Sequence, residues 1–260
     1  MSTRKLPDIA EKPEDNTVPK YVFRYRSFND PYDSLRRILL KNEWYFGSRL
    51  DFDDQADCKL PGILIYRDHL RSVMAKKDGG LTKAREDEIE RFLADPKAQA
   101  QTLEAVQGFV NRVGILCLSE LHDQPELWRI YADNGRGVCL CLETLKIANS
   151  THYIERGPFE VAYSDNPKHP WDPRGDKRNQ NAQTEDHLLR KGSIWAYQKE
   201  WRFFMYGRAD ESTVGFHAIP PEAVRAVILG PRLTEAEREE VRSWIKAGPF
   251  AHALCPVKSQ

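Results

Sequence analysis

Aromatic and polar residues alternate from Ser193 to Tyr206, which is the pattern of a β-strand with one buried face. Side chains two positions apart lie on the same face of a strand, so the stretch predicts one apolar row and one polar row. The apolar row is Trp201, Phe203 and Met205, and the polar row is Gln198, Glu200 and Arg202. A polar row is typical of a solvated sheet face. A carboxylate held between tryptophans is also partly desolvated, which suits it for chemistry.

Composition limits the class of protein. The 260 residues suffice for one large domain or two small ones, and 40% hydrophobic with 30% charged residues is typical of a soluble globular protein. The 39 basic and 39 acidic residues balance, so no net field favours nucleic acid or an anionic membrane as partner. The apolar runs are too short to span a membrane, and residues 1–20 contain no apolar segment resembling a secretion signal. A cytoplasmic protein without a membrane partner is predicted.

The candidate metal ligands of the sequence are its cysteines and the carboxylates of one acidic loop. Five cysteines form no Cys-x-x-Cys pair, so we expect free thiols in a reducing compartment rather than disulfides or zinc ligands. Between Asp51 and Asp57 four carboxylates crowd into seven positions, which is compatible with a hard cation. The loop lacks the glycine turn and terminal glutamate of a calcium loop, however, and a capping or hydrogen-bonding loop is the alternative that we favour. No metal is expected.

The order of predicted elements is strand, helix, strand, helical segment, and then several strands followed by a helix. This order predicts an α+β fold with a mixed or antiparallel β core, because it lacks the regular alternation and the Gly-rich first turn of a doubly wound nucleotide fold. We predict a flexible leader at residues 1–20 and a single domain at 21–250. That domain carries a helical insertion at about 60–112 and is followed by a tail at 251–260.

Two arginines share one face of the first predicted strand. Tyr21, Phe23 and Tyr25 alternate with Arg24 and Arg26. A guanidinium is a planar fork of donors that matches phosphate or carboxylate, so two on one strand face are suited to a diphosphate. The alternative is that each arginine pairs with a surface acid. The sequence leaves both possibilities open.

Several short motifs follow one another along the chain between Tyr21 and Ile245. They are Tyr25 to Ser27, Phe52 to Asp57, Leu116 to Glu120, Leu127 to Ala132, Gly137 to Cys139, Val161 to Tyr163, Trp195 to Arg202 and Val227 to Gly230. In this order they resemble the boxes of a bacterial domain-of-unknown-function family, number 2971 in that series. The chain departs from the family pattern at Asp53, Gln55 and Ala56, where the family has Asn, Pro and Phe, and Gln198 stands where Glu is common.

More distantly, the arrangement resembles the ADP-ribosyltransferases, which use an early arginine, a serine on a following strand and a later Gln-x-Glu or Glu-x-Glu. The resemblance implies an ADP-ribosyltransferase-like fold and NAD as substrate, with ADP-ribose transferred to an unidentified protein or nucleic acid. An anionic glutamate would stabilise the oxocarbenium-like ribose. The implied catalytic residues are Glu200 and Gln198, and the implied NAD-binding residues are Arg26, Arg24, Ser48, Tyr25, Trp195 and Arg202.

A hypothesis of a different class is a recognition module without catalysis. Such a module, in a bacterial defence or toxin-related system, would bind a nucleotide, a nucleic acid or a protein. It would need Arg24, Arg26 and Arg202 but not the acid of Glu200. Replacing Glu200 with glutamine therefore separates the two hypotheses, because the shape is kept and the charge is removed.

Overall fold

The computed structural model describes residues 18–148, 156–174, 183, 186–207 and 211–258. All but the last three residues of the predicted leader lie outside this range. Contacts divide the chain into two compact units, which are described separately. The first unit comprises Met1–Ser48, Val113–Val161 and Ser193–Gln260, and the second comprises Arg49–Arg112 and Ala162–Gly192.

The main sheet belongs to the first unit and is antiparallel. Within the described residues it has six strands in the order β10-β4-β1-β3-β8-β5. Two further pairs are β2 with β9 and, in the second unit, β6 with β7. The strands are β1 Tyr21–Ser27, β2 Trp44–Phe46, β3 Gly114–Ser119, β4 Gly137–Glu143, β5 Arg156–Glu160, β6 Ala162–Tyr163, β7 Arg190–Lys191, β8 Glu200–Met205, β9 Gly215–His217 and β10 Val224–Leu229.

Helices and the antiparallel sheet together confirm the prediction of an α+β fold with an antiparallel β core. The helices of the described residues are α1 Ser34–Lys41, α2 Arg67–Ala75, α3 Lys83–Ala94, α4 Pro96–Asn111, α5 Pro125–Tyr131, α6 Thr144–Ala148 and α7 Glu235–Ala247. In the part of the chain that is described, no helix has the length and apolar character needed to cross a membrane.

The main sheet has an apolar layer on each face. On one face Val22 and Leu140 pack with α1 and α7, which contribute residues such as Leu39 and Val241. On the other face the alternate residues of the same strands pack with α5. Because both faces are covered, the interior strand β4 is buried at every position except Glu143, which is partly exposed.

The main sheet is split between β1 and β3. In the described residues these strands pair only where Phe23 lies opposite Ser119. Farther along β3, Gly47 exchanges two backbone hydrogen bonds of 2.9 Å with Ile115. Since β8 pairs with the other edge of β3 over its whole length, Gly47 lies on the edge that faces β1. Cys117 sits between these two contacts, and we call this opening the β1–β3 split.

The stretch that opens at Ser193 differs from the prediction of one continuous strand. Ser193–Gln198 forms a 3₁₀ helix, and the strand begins only at Glu200. Lys199 between them has a left-handed backbone, with φ of 43°, which breaks the extended conformation. Gln198 therefore does not belong to the polar row of the strand. The apolar row is confirmed, since Trp201 and Phe203 are buried in the core and Met205 packs against it.

Residues 254–258 cover an edge of the main sheet. Leu254 and Val257 form parallel bridges with Ala226 and Leu229 of β10. The backbone amides of Val227 and Leu229 donate to this segment at 2.8 Å. The tail predicted from sequence thus supplies hydrogen-bond partners to a strand that would otherwise end the sheet.

In the second unit the acidic loop is held by buried contacts. The Asp57 side chain is fully buried, and its carboxylate lies 3.4 Å from the ammonium of Lys191. Arg49, itself buried, donates to the carbonyl oxygens of Asp57 at 3.1 Å and Gln55 at 2.7 Å. These contacts give the loop a structural role. Across the described residues, no group of three or more His, Cys, Asp or Glu side chains is placed to hold a metal ion.

Candidate functional site

Arg24 and Arg26 lie beside the β1–β3 split. Both side chains are partly buried, and they alternate with the buried rings of Tyr21, Phe23 and Tyr25. The guanidinium of Arg24 donates through Nη1 to the carbonyl oxygen of Cys117, inside the split. Nη1 of Arg26 donates to the carbonyl oxygen of Tyr25 at 3.2 Å.

In the part of the chain that is described, neither arginine forms an ion pair with a carboxylate. Among the described residues, Arg24 and Arg26 take part in no ion pair within 4 Å, and their hydrogen bonds go to backbone carbonyls. The Nε atoms of both are buried without a hydrogen-bond partner in the described chain. A buried polar atom without a partner is costly, and a charged one more so. The two arginines therefore carry positive charge that no carboxylate of the described chain pairs with, and N–H groups that find no acceptor there.

Burial and mutual repulsion act together on these two groups. Burial lowers the pKa of Arg26 well below its ordinary value, and the neighbouring charge of Arg24 lowers it further, while Asp30 opposes the shift. Burial also lowers the pKa of Arg24, with Cys117, Tyr131 and Glu200 opposing it. Guanidinium groups stay protonated in proteins, so both remain cations at neutral pH. An anion bound between them would relieve both effects.

Glu200 is held in a buried ion pair at the start of β8. Nε of Arg202 donates to Oε1 at 2.7 Å, and Nη2 donates to Oε2 at 3.2 Å, with the arginine fully buried and Glu200 nearly so. Burial raises the pKa of the nearby Cys117 thiol well above its ordinary value, and the charge of the same carboxylate raises it further. The thiol is therefore neutral at pH 7. The arrangement is that of a positioned carboxylate whose charge is already balanced.

Gln198 contacts α5 rather than open solvent. Its Nε2 donates to the hydroxyl oxygen of Tyr131 at 3.0 Å, and its backbone carbonyl accepts from Oγ of Ser119 at 2.7 Å. The left-handed Lys199 follows it directly. Strained backbone of this kind is concentrated at functional sites, because surrounding contacts must maintain it. Tyr131 thus joins the site.

The register shows which of these residues come together. Phe23, Ser119 and Glu200 are paired across strands and share one face, whereas Arg24 and Arg26 start from the other face. Because the sheet is split, the guanidinium of Arg24 reaches between the strands and is influenced by the charge of Glu200. Arg24 therefore lies near both Arg26 and Glu200, whereas the side chains of Arg26 and Glu200 start from opposite faces of the sheet.

The remaining predicted residues have different surroundings. Ser48 is buried and directly follows Gly47, so it borders the β1–β3 split. Tyr25 is buried, packs edge-on against Trp128 with ring centroids 5.3 Å apart, and donates its hydroxyl to the carbonyl oxygen of Leu121 at 2.7 Å. The ring of Tyr25 is therefore part of the buried core. Trp195 is partly exposed and lies 6.3 Å from the ring of Tyr197.

The sequence could not identify the role of Cys117. Its carbonyl accepts from Arg24 and its thiol contacts Glu200, so this one residue links the two charged groups across β3. In the sequence it is an ordinary apolar position of a buried strand. Only the pairing of β3 with its neighbours places it in the split.

Comparison with known proteins gives one family match. Residues 127–203 match the model of a family described as protein of unknown function (DUF2971). The match begins in α5 and ends in β8, so it includes Tyr131, Gln198, Glu200 and Arg202. It supports the resemblance to this family over that region. No curated protein and no solved structure matches the chain.

Proposed function

We propose that the β1–β3 split binds the phosphate groups of a nucleotide through Arg24 and Arg26. The observation that carries the proposal is the absence of a carboxylate partner for either guanidinium within the described chain, although both are partly buried. Structural arginines in such positions are normally paired, because burying an unpaired charge is expensive. Here the unused donors include both buried Nε atoms.

The spacing of the arginines favours two linked phosphates. The Cα atoms of residues two apart on one strand face are separated by about 7 Å, so two long arginine side chains that start there can reach the two phosphates of one diphosphate. Each guanidinium forms bidentate bonds with phosphate oxygens. Ser48, which directly follows Gly47, borders the same split. A nucleoside diphosphate group, as in ADP, ADP-ribose or NAD, is the ligand class that this set fits.

Transfer of ADP-ribose from NAD is a second candidate function. It is favoured by the position of Glu200 within electrostatic influence of Arg24, and by the strained backbone of Lys199 beside it. A carboxylate oxygen has two lone pairs, so one that accepts from Arg202 also accepts from a ribose hydroxyl. In this reaction the acceptor forms a bond to the ribose carbon as nicotinamide leaves. The ion pair with Arg202 makes recognition the better supported function.

The binding proposal is tested with a ligand series. Isothermal titration calorimetry of the full chain with adenosine, AMP, ADP, ADP-ribose and NAD is expected to give affinity that increases from adenosine to the diphosphates. Arg26→Met should weaken ADP binding at least about tenfold, since a charge-assisted contact contributes about 1.5–3 kcal/mol. Arg36→Met is the matched control, because Arg36 is exposed and pairs with Asp33 at the surface. Equal binding of adenosine and ADP would contradict the proposal.

Glu200→Gln separates recognition from catalysis. If the chain is a transferase, this variant keeps NAD binding and loses nicotinamide release. If the chain is a recognition module, the native protein binds diphosphates and releases no nicotinamide with any acceptor supplied. Circular dichroism of the variant must first show native secondary structure, because the substitution removes one partner of a buried ion pair.

A further inference from the structure

A second positively charged site lies on the surface of the first unit, at one end of α5. It is an open groove of about 330 Å³. Its walls include the apolar surfaces of Trp128 and Pro231 and the backbone of Gly135. Arg129, Arg232 and Lys258 also line it, and none of its lining residues is acidic. The inference drawn from this groove is independent of the proposed nucleotide site.

The cations of the groove are available to a ligand. The side chain of Arg232 is exposed and, in the described part of the chain, forms no hydrogen bond or ion pair. Arg129 pairs with Glu126 at 2.8 Å, but both side chains are about half exposed, and such surface pairs contribute little and exchange easily. The ammonium of Lys258 lies 4.9 Å from the ring centroid of Trp128 and 3.4 Å from the carbonyl oxygen of Asp123. Arg232 and Lys258 therefore offer positive charge that no acid pairs with in the described residues, and Arg129 adds a third cation when a ligand replaces Glu126.

A strained turn forms one wall of the groove. Asp133, Asn134 and Gly135 have consecutive positive φ values of 46°, 54° and 90°. Left-handed backbone at non-glycine residues is strained and persists where the surroundings fix it. Here the amide of Arg232 donates to the carbonyl oxygen of Gly135 at 3.1 Å. The turn is thus a fixed element that presents the exposed amide side chain of Asn134, which can pair with a peptide backbone.

We propose that this groove binds an acidic peptide segment. The positive charges of Arg232 and Lys258 favour an anionic partner. Trp128 is only 4% exposed, so its ring offers no free face on which a nucleobase would stack. The groove is open along the surface, whereas sites for small ligands enclose most of the ligand. An extended peptide with carboxylates satisfies the charges, and its backbone amides satisfy Asn134.

The test uses a fluorescein-labelled octapeptide of alternating glutamate and serine, with fluorescence polarisation of the full chain at 50 and 200 mM salt. Binding is expected at the lower salt and should weaken at the higher salt. The double variant R129A/R232A should bind at least tenfold more weakly. The control R36A/K246A removes the same charge from exposed positions of α1 and α7 and should change the affinity less than twofold. Unchanged thermal midpoints of both variants show that the fold is kept.

Three outcomes overturn the inference. The first is the absence of peptide binding by the native chain at 50 mM salt. The second is an equal loss of peptide affinity in the groove variant and in the control, which would mean that binding depends on the total charge of the protein. The third is a single-stranded oligonucleotide of eight phosphates that binds more tightly than the peptide and depends on Arg129 and Arg232, which would assign the groove to nucleic acid.

Discussion

Arg26→Met is expected to stabilise the ligand-free protein while removing its affinity for phosphate. Arg26 is partly buried, has no carboxylate partner in the described chain, and lies next to Arg24 on the same strand face. Methionine retains much of the length and apolar surface of the side chain without its charge. Replacing a buried charge by an apolar residue of similar volume is often neutral or stabilising.

The magnitude follows from the spacing of the charges. Two unit charges about 7 Å apart repel by about 2 kcal/mol at an effective dielectric constant of about 20. Loss of the hydrogen bond from Arg26 to the carbonyl oxygen of Tyr25 costs about 1 kcal/mol. The variant also avoids the cost of burying a charged guanidinium, which further increases the free energy of unfolding. The free energy of unfolding should therefore increase by about 1–2 kcal/mol, which raises the thermal midpoint by about 2–6 °C in a chain of this size.

Differential scanning calorimetry with and without pyrophosphate measures both effects. The native protein should be stabilised by pyrophosphate, because a ligand that binds only the folded state raises the midpoint. Arg26→Met should start from a higher midpoint and show no further increase. Arg36→Met, at an exposed position, should behave like the native protein. A variant that is less stable by more than about 1 kcal/mol and still responds to pyrophosphate would refute the reasoning.

The other predictions concern the structure around the site. Glu200→Gln should lower the free energy of unfolding by about 3–5 kcal/mol in urea denaturation, because Arg202 loses its buried partner; an unchanged midpoint would mean that solvent reaches the pair. Gly230→Ala should cost about 3 kcal/mol in the same assay, since a β-carbon there overlaps carbonyl oxygens of the turn at residues 135–137. The hydrogen bond from Arg136 lowers the pKa of Glu237, so their pairing stabilises the fold above about pH 5 and is lost as the pH falls through the lowered folded-state value. The stability lost in Arg136→Met should accordingly be full at neutral pH and shrink below about pH 4; a constant difference would contradict this assignment.

Sequence patterns predicted the elements that depend on local periodicity. β1 formed where aromatic residues alternate with Arg24 and Arg26, and β8 formed where Trp201 and Phe203 alternate with charged residues. The pattern did not reveal the left-handed Lys199, because a single residue of any type can adopt that conformation when its neighbours fix it. The predicted continuous strand therefore extended too far toward the N-terminus.

The candidate site was predictable only in part. Residue types suited to phosphate binding could be recognised on β1, but their lack of carboxylate partners is a property of the surroundings. The β1–β3 split depends on which strand segment pairs with which edge of β3, and that pairing joins residues far apart in the sequence, such as Phe23 with Ser119 and Gly47 with Ile115. For the same reason Cys117 gave no signal in the sequence.

The segment at residues 254–258 has a consequence for solubility. An edge strand with open amides and carbonyls is a template on which a second molecule can add a strand. By pairing with β10, this segment closes that edge within a single molecule. Truncation before residue 251 should therefore leave a folded sheet that self-associates in a concentration-dependent manner, because β10 would then present its open amides and carbonyls to a second molecule.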